Sequence, residues 1–271
     1  MKNNAVKIVK EMGLVFVRKY VPRSAAALSY YLTISIFPFL ICVSAIIGSL
    51  HMYESNVFML LEDIVPAQAF STITDIFGYV SENNTKLMFA IGLIAMLTSS
   101  SAAFRSFLGI MGEIQGEMRF KGIWRGVFSF LISIFFLAVM YVSALLLLSG
   151  GWLMEILETY FGLGRILKVW TWVRFIVLFL MLFGVIYGMY MISAPKETKR
   201  THRLPGAIAA SVVLVAASII YSRMISVSIK YAILYGSLAS FIILMIWFYT
   251  CSIILIMGNV LNVTLQKIRE T

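Results

Sequence analysis

From Ser24 to Leu50 the chain runs for 27 residues without a charge: SAAALSYYLTISIFPFLICVSAIIGSL. A hydrocarbon core of roughly 30 Å takes about 20 apolar residues as a helix, so this run can cross a bilayer with some tilt. Lipid offers no partner to backbone polar groups, which makes a helix the conformation for such a run. Ser29, Tyr30, Tyr31, Thr33 and Ser35 give the helix a polar side, and Pro38 lies near mid-span. A proline there frees the carbonyl of Ile34, four residues earlier, and a neighbouring helix or a polar cavity must satisfy it. The expectation is a helix packed inside a bundle.

The whole chain has the same character. Of its 271 residues, 61% are hydrophobic and only 13% charged, and mean hydropathy is +0.94, where soluble domains carry about 25% charged residues. The expected fold class is all-α: a polytopic membrane protein forming one domain. Cys42 and Cys251 fall within apolar spans and His51 and His202 at opposite membrane faces, which argues against a disulfide framework or a metal site. No cofactor is expected.

Residues 1–23 carry six Lys/Arg, with Ile8, Met12, Val15 and Phe16 at helical spacing. They read as a basic amphipathic segment on the cytoplasmic surface, followed by a retained anchor rather than a cleaved signal. The membrane domain covers 24–262, with spans at about 24–50, 87–111, 124–149, 170–193, 205–225 and 237–261, and residues 263–271 form a cytoplasmic tail. Between the first two spans, apolar residues at 58–65 and at Phe70, Ile73, Phe77 and Val80, separated by Pro66, predict two short helices on the outer face. They either cap a cavity or lie in the headgroup layer.

The second span holds Thr98, Ser99, Ser100 and Ser101, then Ala102, Ala103 and Arg105. Small residues let helix backbones approach closely, and hydroxyls bond across the contact. Arginine at membrane depth costs at least roughly 2.5 kcal/mol unless it snorkels or faces a polar interior. For Arg105 both readings stand. Arg174, one turn inside its span, is read as snorkelling, and Gly184 and Gly188 as a close-packing signal.

Counting Arg105 with the inner face, sixteen Lys/Arg lie on segments assigned to the cytoplasm and six on the outer segments. This predicts a multi-pass protein of the cell membrane with both termini cytoplasmic. The net charge of +10 is thereby mostly accounted for by topology, with no aromatic and glycine signature of RNA binding, and nucleic acid is not an expected partner. Membrane lipids are.

Several segments in order resemble the YihY/BrkB family of bacterial inner-membrane proteins, once described as ribonuclease BN. They are Ala25 to Tyr31, Ser35 to Phe39, Ser99 to Phe104, Leu204-Pro205-Gly206-Ala207, Tyr235-Gly236-Ser237-Leu238 and the Gly258 to Asn262 pattern. The resemblance implies six membrane helices and gives Pro38, Pro205, Gly206, Tyr235, Gly236, Ser237, Gly258 and Asn262 the standing of structural motif residues. It also implies a glutamate where this chain has Val260 and an asparagine where it has Gly112.

Metal-assisted phosphodiester hydrolysis needs clustered carboxylates or histidines, and the twelve acids here are scattered over loops. A non-enzymatic role is expected. The leading expectation is a carrier or exporter of an amphiphilic or lipid-like substrate, whose anionic headgroup follows a polar path of Tyr30, Tyr31, Thr33, Ser99, Ser100, Ser101 and Arg105. The alternative is a non-transporting scaffold or envelope-integrity factor, in which those residues only pack helices. No Walker-type loop is present to couple ATP.

Overall fold

The computed structural model describes residues 2–49, 86–117, 119–148, 166–195, 200–227 and 237–270. All regular structure there is helical: α1 (Lys2–Arg18), α2 (Val21–Ser49), α3 (Lys86–Gln115), α4 (Gly122–Leu148), α5 (Ile166–Ser193), a short 3-10 turn (Arg200–Arg203), α6 (Leu204–Val227) and α7 (Ser237–Glu270). Five of these helices, α3 to α7, contain described stretches long and apolar enough to cross a membrane. The first expected span corresponds to α2, 29 residues long. The outer-face helices expected at 58–80, and Tyr235 and Gly236, lie outside the described residues, as do the side chains of Pro38, Arg174 and Ser237.

α3 is the most buried of these five apolar helices. Of its Ala90–Gln115 stretch 44% is buried, against 17–22% for the corresponding stretches of the other four. Periodicity explains how one helix serves two neighbours. Ala103, Phe107, Ile110 and Met111 recur at three and four residues and pack into a core with Val21, Ala25 and Leu28 of α2, Ile186 and Tyr190 of α5, and Ile256 and Val260 of α7. Phe104 and Leu108 point from another stripe of α3 to Ile132 of α4, with the Phe104 and Phe136 rings edge-to-face at 5.4 Å. Outward residues such as Ile91, Ile94, Ile123, Val213 and Ile220 are exposed. On a chain with apolar helices of this length, that surface is the lipid-facing one.

α1 is not a free arm. Met12, Val15 and Phe16 pack against the core, Glu11 pairs with Lys267 of α7 at 3.6 Å, and the Lys19 ammonium donates to the Glu113 carbonyl at 2.9 Å. Tyr20 turns the chain from α1 into α2 with φ of 48°, a left-handed conformation that is an outlier for a bulky side chain. α7 runs on past the expected end of its span to Glu270, because Asn262 and Thr264 are still buried there. One end of the bundle therefore gathers α1, the end of α3, the start of α4, the end of α5, the start of α6 and the end of α7.

Candidate functional site

At that end a groove of about 810 Å³ opens between α3 and α4. Thr98, Ser101 and Arg105 line one side, and Arg125, Gly126, Val127, Phe130 and Leu131 the other. The two arginines are placed reciprocally. A Cβ built on Gly126 would lie 3.7 Å from a terminal nitrogen of Arg105, and one built on Gly109 would lie 3.4 Å from a terminal nitrogen of Arg125. Each guanidinium thus crosses its partner helix over a glycine. Neither has an ion pair or a side-chain hydrogen bond among the described residues. The Arg105 backbone lies ten residues before the end of α3, about 15 Å at 1.5 Å per residue, and its side chain reaches Gly126, the fifth residue of α4. Ile123, Val127, Phe130 and Leu131 beside it are exposed and form an apolar wall. Two cations with no ion-pair partner among the described residues, next to such a wall, match an anionic head joined to an apolar chain.

The other hydroxyls of the expected polar path go elsewhere. Ser29 donates to the Ala26 carbonyl and Thr33 to the Ser29 carbonyl, both within α2. Ser99 bonds the Ala95 carbonyl of its own helix. Ser100 is buried and accepts from Ser133 of α4 at 2.7 Å. Hydroxyls bonded back to the preceding turn are satisfied without a ligand. Tyr31 packs against the core while Tyr30 is 54% exposed, so the two face different surroundings although their rings touch edge-on. Of the expected set, only Ser101 and Arg105 share the groove.

At the same end of the bundle, α6 and α7 cross backbone to backbone. A Cβ on Gly258 would lie 2.8 Å from the Ala210 Cβ and 2.9 Å from the Gly206 carbonyl oxygen, and one on Gly206 would run into the Gly258 carbonyl. Close approach is what glycine allows here. Asn262 fastens the crossing: its Oδ1 accepts the Gly206 N–H at 2.7 Å and its Nδ2 donates to the Arg203 carbonyl at 3.0 Å. Gly206 is the third residue of α6 and its N–H is one of the four a helix leaves unsatisfied, while Pro205 before it has none to satisfy. The Tyr190 hydroxyl donates to the Leu255 carbonyl at 2.6 Å, which ties α5 to the same crossing.

Two further arginines hold the end of α5. Arg119 donates to the carbonyls of Met191 and Ala194 at 2.7 and 3.3 Å, and Arg203 to those of Met191 and Pro195 at 3.2 and 3.0 Å. The last carbonyls of a helix lack partners and carry the negative end of its dipole, so guanidinium groups belong there. Arg203 is 5% exposed; its charge is structural.

A family model described as virulence factor BrkB matches residues 14–271. The chain belongs to the BrkB family. Among curated relatives, the putative ribonuclease-like protein YfkH of Bacillus subtilis (strain 168) is 28% identical, with 90% of this chain and 89% of the relative covered. The UPF0761 membrane protein VV0203 of Vibrio vulnificus (strain YJ016) is 24% identical over 92% of this chain and 81% of its own. No solved structure matches. Gly206, Gly258 and Asn262, three of the residues expected as structural motif positions, meet at the α6–α7 crossing, directly after Pro205. Val260, two residues before Asn262, is 1% exposed in the apolar core, and Gly112 is buried in α3. Sequence reasoning passed over Arg125, which at the inner end of the third span counts only as one more basic residue, and over Tyr190, whose hydroxyl gives no signal in an aromatic-rich span.

Proposed function

We propose that this BrkB family protein resides in the cell membrane with both termini cytoplasmic and carries an anionic amphiphile, its headgroup held by Arg105 and Arg125 and its apolar chain along Val127, Phe130 and Leu131. The observation that carries this reading is the pair of guanidinium groups with no described partner beside an exposed apolar wall. An unneutralised arginine at membrane depth costs several kcal/mol, and a phosphate that accepts from two guanidinium groups offsets that cost with charge-assisted bonds. The cytoplasmic assignment follows from the Lys/Arg distribution. Ribonuclease-like is part of the name of the Bacillus relative; the reading for this chain is non-enzymatic. The test is flipping of a fluorescent phosphatidylglycerol in proteoliposomes. Movement above protein-free liposomes supports carriage, and its absence sinks it.

A second reading has an observation of its own. Ser29, Thr33, Ser99 and Ser211 each return their hydroxyl to their own helix, and Ser100 with Ser133 joins α3 to α4. Residues used this way pack helices, which favours a scaffold or envelope-integrity factor.

A further inference from the structure

The end of the bundle contains a second cavity, separate from the groove. It has a volume of about 280 Å³ and lies between Gln115 at the end of α3, Ala194 and Pro195 after α5, His202 and Arg203 of the 3-10 turn, and the last part of α7. We infer that this chamber binds a phosphate-class anion, as a free ion or as the phosphate of a lipid headgroup.

Three observations carry the inference. Asn259 lines the chamber, is only 2% exposed, and its Nδ2 has no hydrogen-bond partner. Its Oδ1 receives only a long bond, 3.4 Å, from Gln115 Nε2, and Gln115 Oε1 and His202 Nδ1 are also buried without partners. Exchanging O and N in both amides would again leave one donor and one acceptor unmet, so the deficit does not depend on how the amides are oriented. A buried polar atom left without a partner costs roughly 1–3 kcal/mol, and here an acceptor and a donor are needed side by side.

Second, among the described residues the lining contains Arg203 and Lys267 and no carboxylate, the Glu11 that pairs with Lys267 at 3.6 Å standing outside it. Third, the Lys267 side chain is 72% exposed, so the chamber has a charged mouth through which an anion can enter. A protonated phosphate or a phosphate ester with a free hydroxyl supplies the complement: oxygens to accept from Asn259, an O–H to donate to Gln115, and negative charge toward Arg203 and Lys267. At about 30 Å³ per water, 280 Å³ accommodates such a group with part of its hydration.

The test uses the full chain in nanodiscs of phosphatidylcholine, titrated by calorimetry with sodium phosphate against sodium chloride at constant ionic strength. A parallel set contains phosphatidylglycerol, with lipid retention read by native mass spectrometry on a background of Arg105→Gln and Arg125→Gln, which removes the groove's charges. Gln115→Glu places a like charge against the anion in the same shape. Lys267→Gln acts at the exposed mouth and also releases Glu11, an exposed pair that contributes little to the fold. Phosphate binding weakened at least tenfold by both substitutions supports a free-anion site. Retention of phosphatidylglycerol alone, lost with either substitution, supports the lipid source. Binding of neither, or binding indifferent to both substitutions, means that water fills the chamber and overturns the proposal. Because the groove arginines are absent from the second set, failure here leaves the carrier reading standing, and the reverse.

Discussion

Asn262 accepts the N–H of Gly206 at 2.7 Å, a side chain late in α7 closing the first turn of α6 across 56 positions of sequence. Its other amide atom is also engaged, with the Arg203 carbonyl, and the residue is 5% exposed. Asn262→Leu strands a buried donor and a buried acceptor at once. At roughly 1–3 kcal/mol for each unsatisfied group, a detergent-solubilised variant is expected to melt well below the native protein, whereas Asn262→Asp, which keeps the acceptor for Gly206, loses less. Thermal unfolding followed by tryptophan fluorescence checks the order.

The α6–α7 crossing makes Gly258→Ala a sharper test of geometry. The added methyl lands 2.8 Å from the Ala210 Cβ and 2.9 Å from a backbone carbonyl, neither of which is the end of a flexible side chain. Overpacking of this kind costs roughly 1–3 kcal/mol. Gly184→Ala meets nothing within 4 Å and is expected to leave the melting temperature unchanged, so the pair separates close packing from a general intolerance of larger residues.

Arg119 and Arg203 share the Met191 carbonyl. Hydrogen bonds to charged groups are worth about 1.5–3 kcal/mol, and groups that share a partner do not act additively. Arg119→Gln and Arg203→Gln are each expected to destabilise, and the double variant to differ from the sum of the two by at least about 0.5 kcal/mol. A double-mutant cycle on urea-induced unfolding in mixed micelles measures that difference.

These arginines also show how far the sequence could be read. The helices of the described spans were legible, because runs such as 124–149 and 170–193 leave only one conformation in lipid, and α4 and α5 lie within a few residues of them. The division of labour among the basic residues was not legible. Arg105, Arg119, Arg125 and Arg203 all count equally in a Lys/Arg tally, yet two bond the end of a helix and two lie in an open groove. The chamber escaped for the same reason: Gln115 and Asn259 are 144 positions apart, and near the ends of apolar runs each reads alone as a solvated polar residue. The serine run was visible as a motif, but whether a hydroxyl faces a path or its own preceding turn depends on rotamer and neighbour, which spacing does not specify.

Carriage of an anionic amphiphile at the Arg105–Arg125 groove is tested most directly by one comparison in proteoliposomes. Flipping of fluorescent phosphatidylglycerol is followed by external quenching for the native protein and for the Arg105→Gln, Arg125→Gln double variant, with melting temperatures taken on the same preparations. The expected result is flipping by the native protein, at least tenfold slower in the variant, with the melting temperatures alike because neither guanidinium bonds another described group. Flipping that is undiminished in a folded variant would contradict the account.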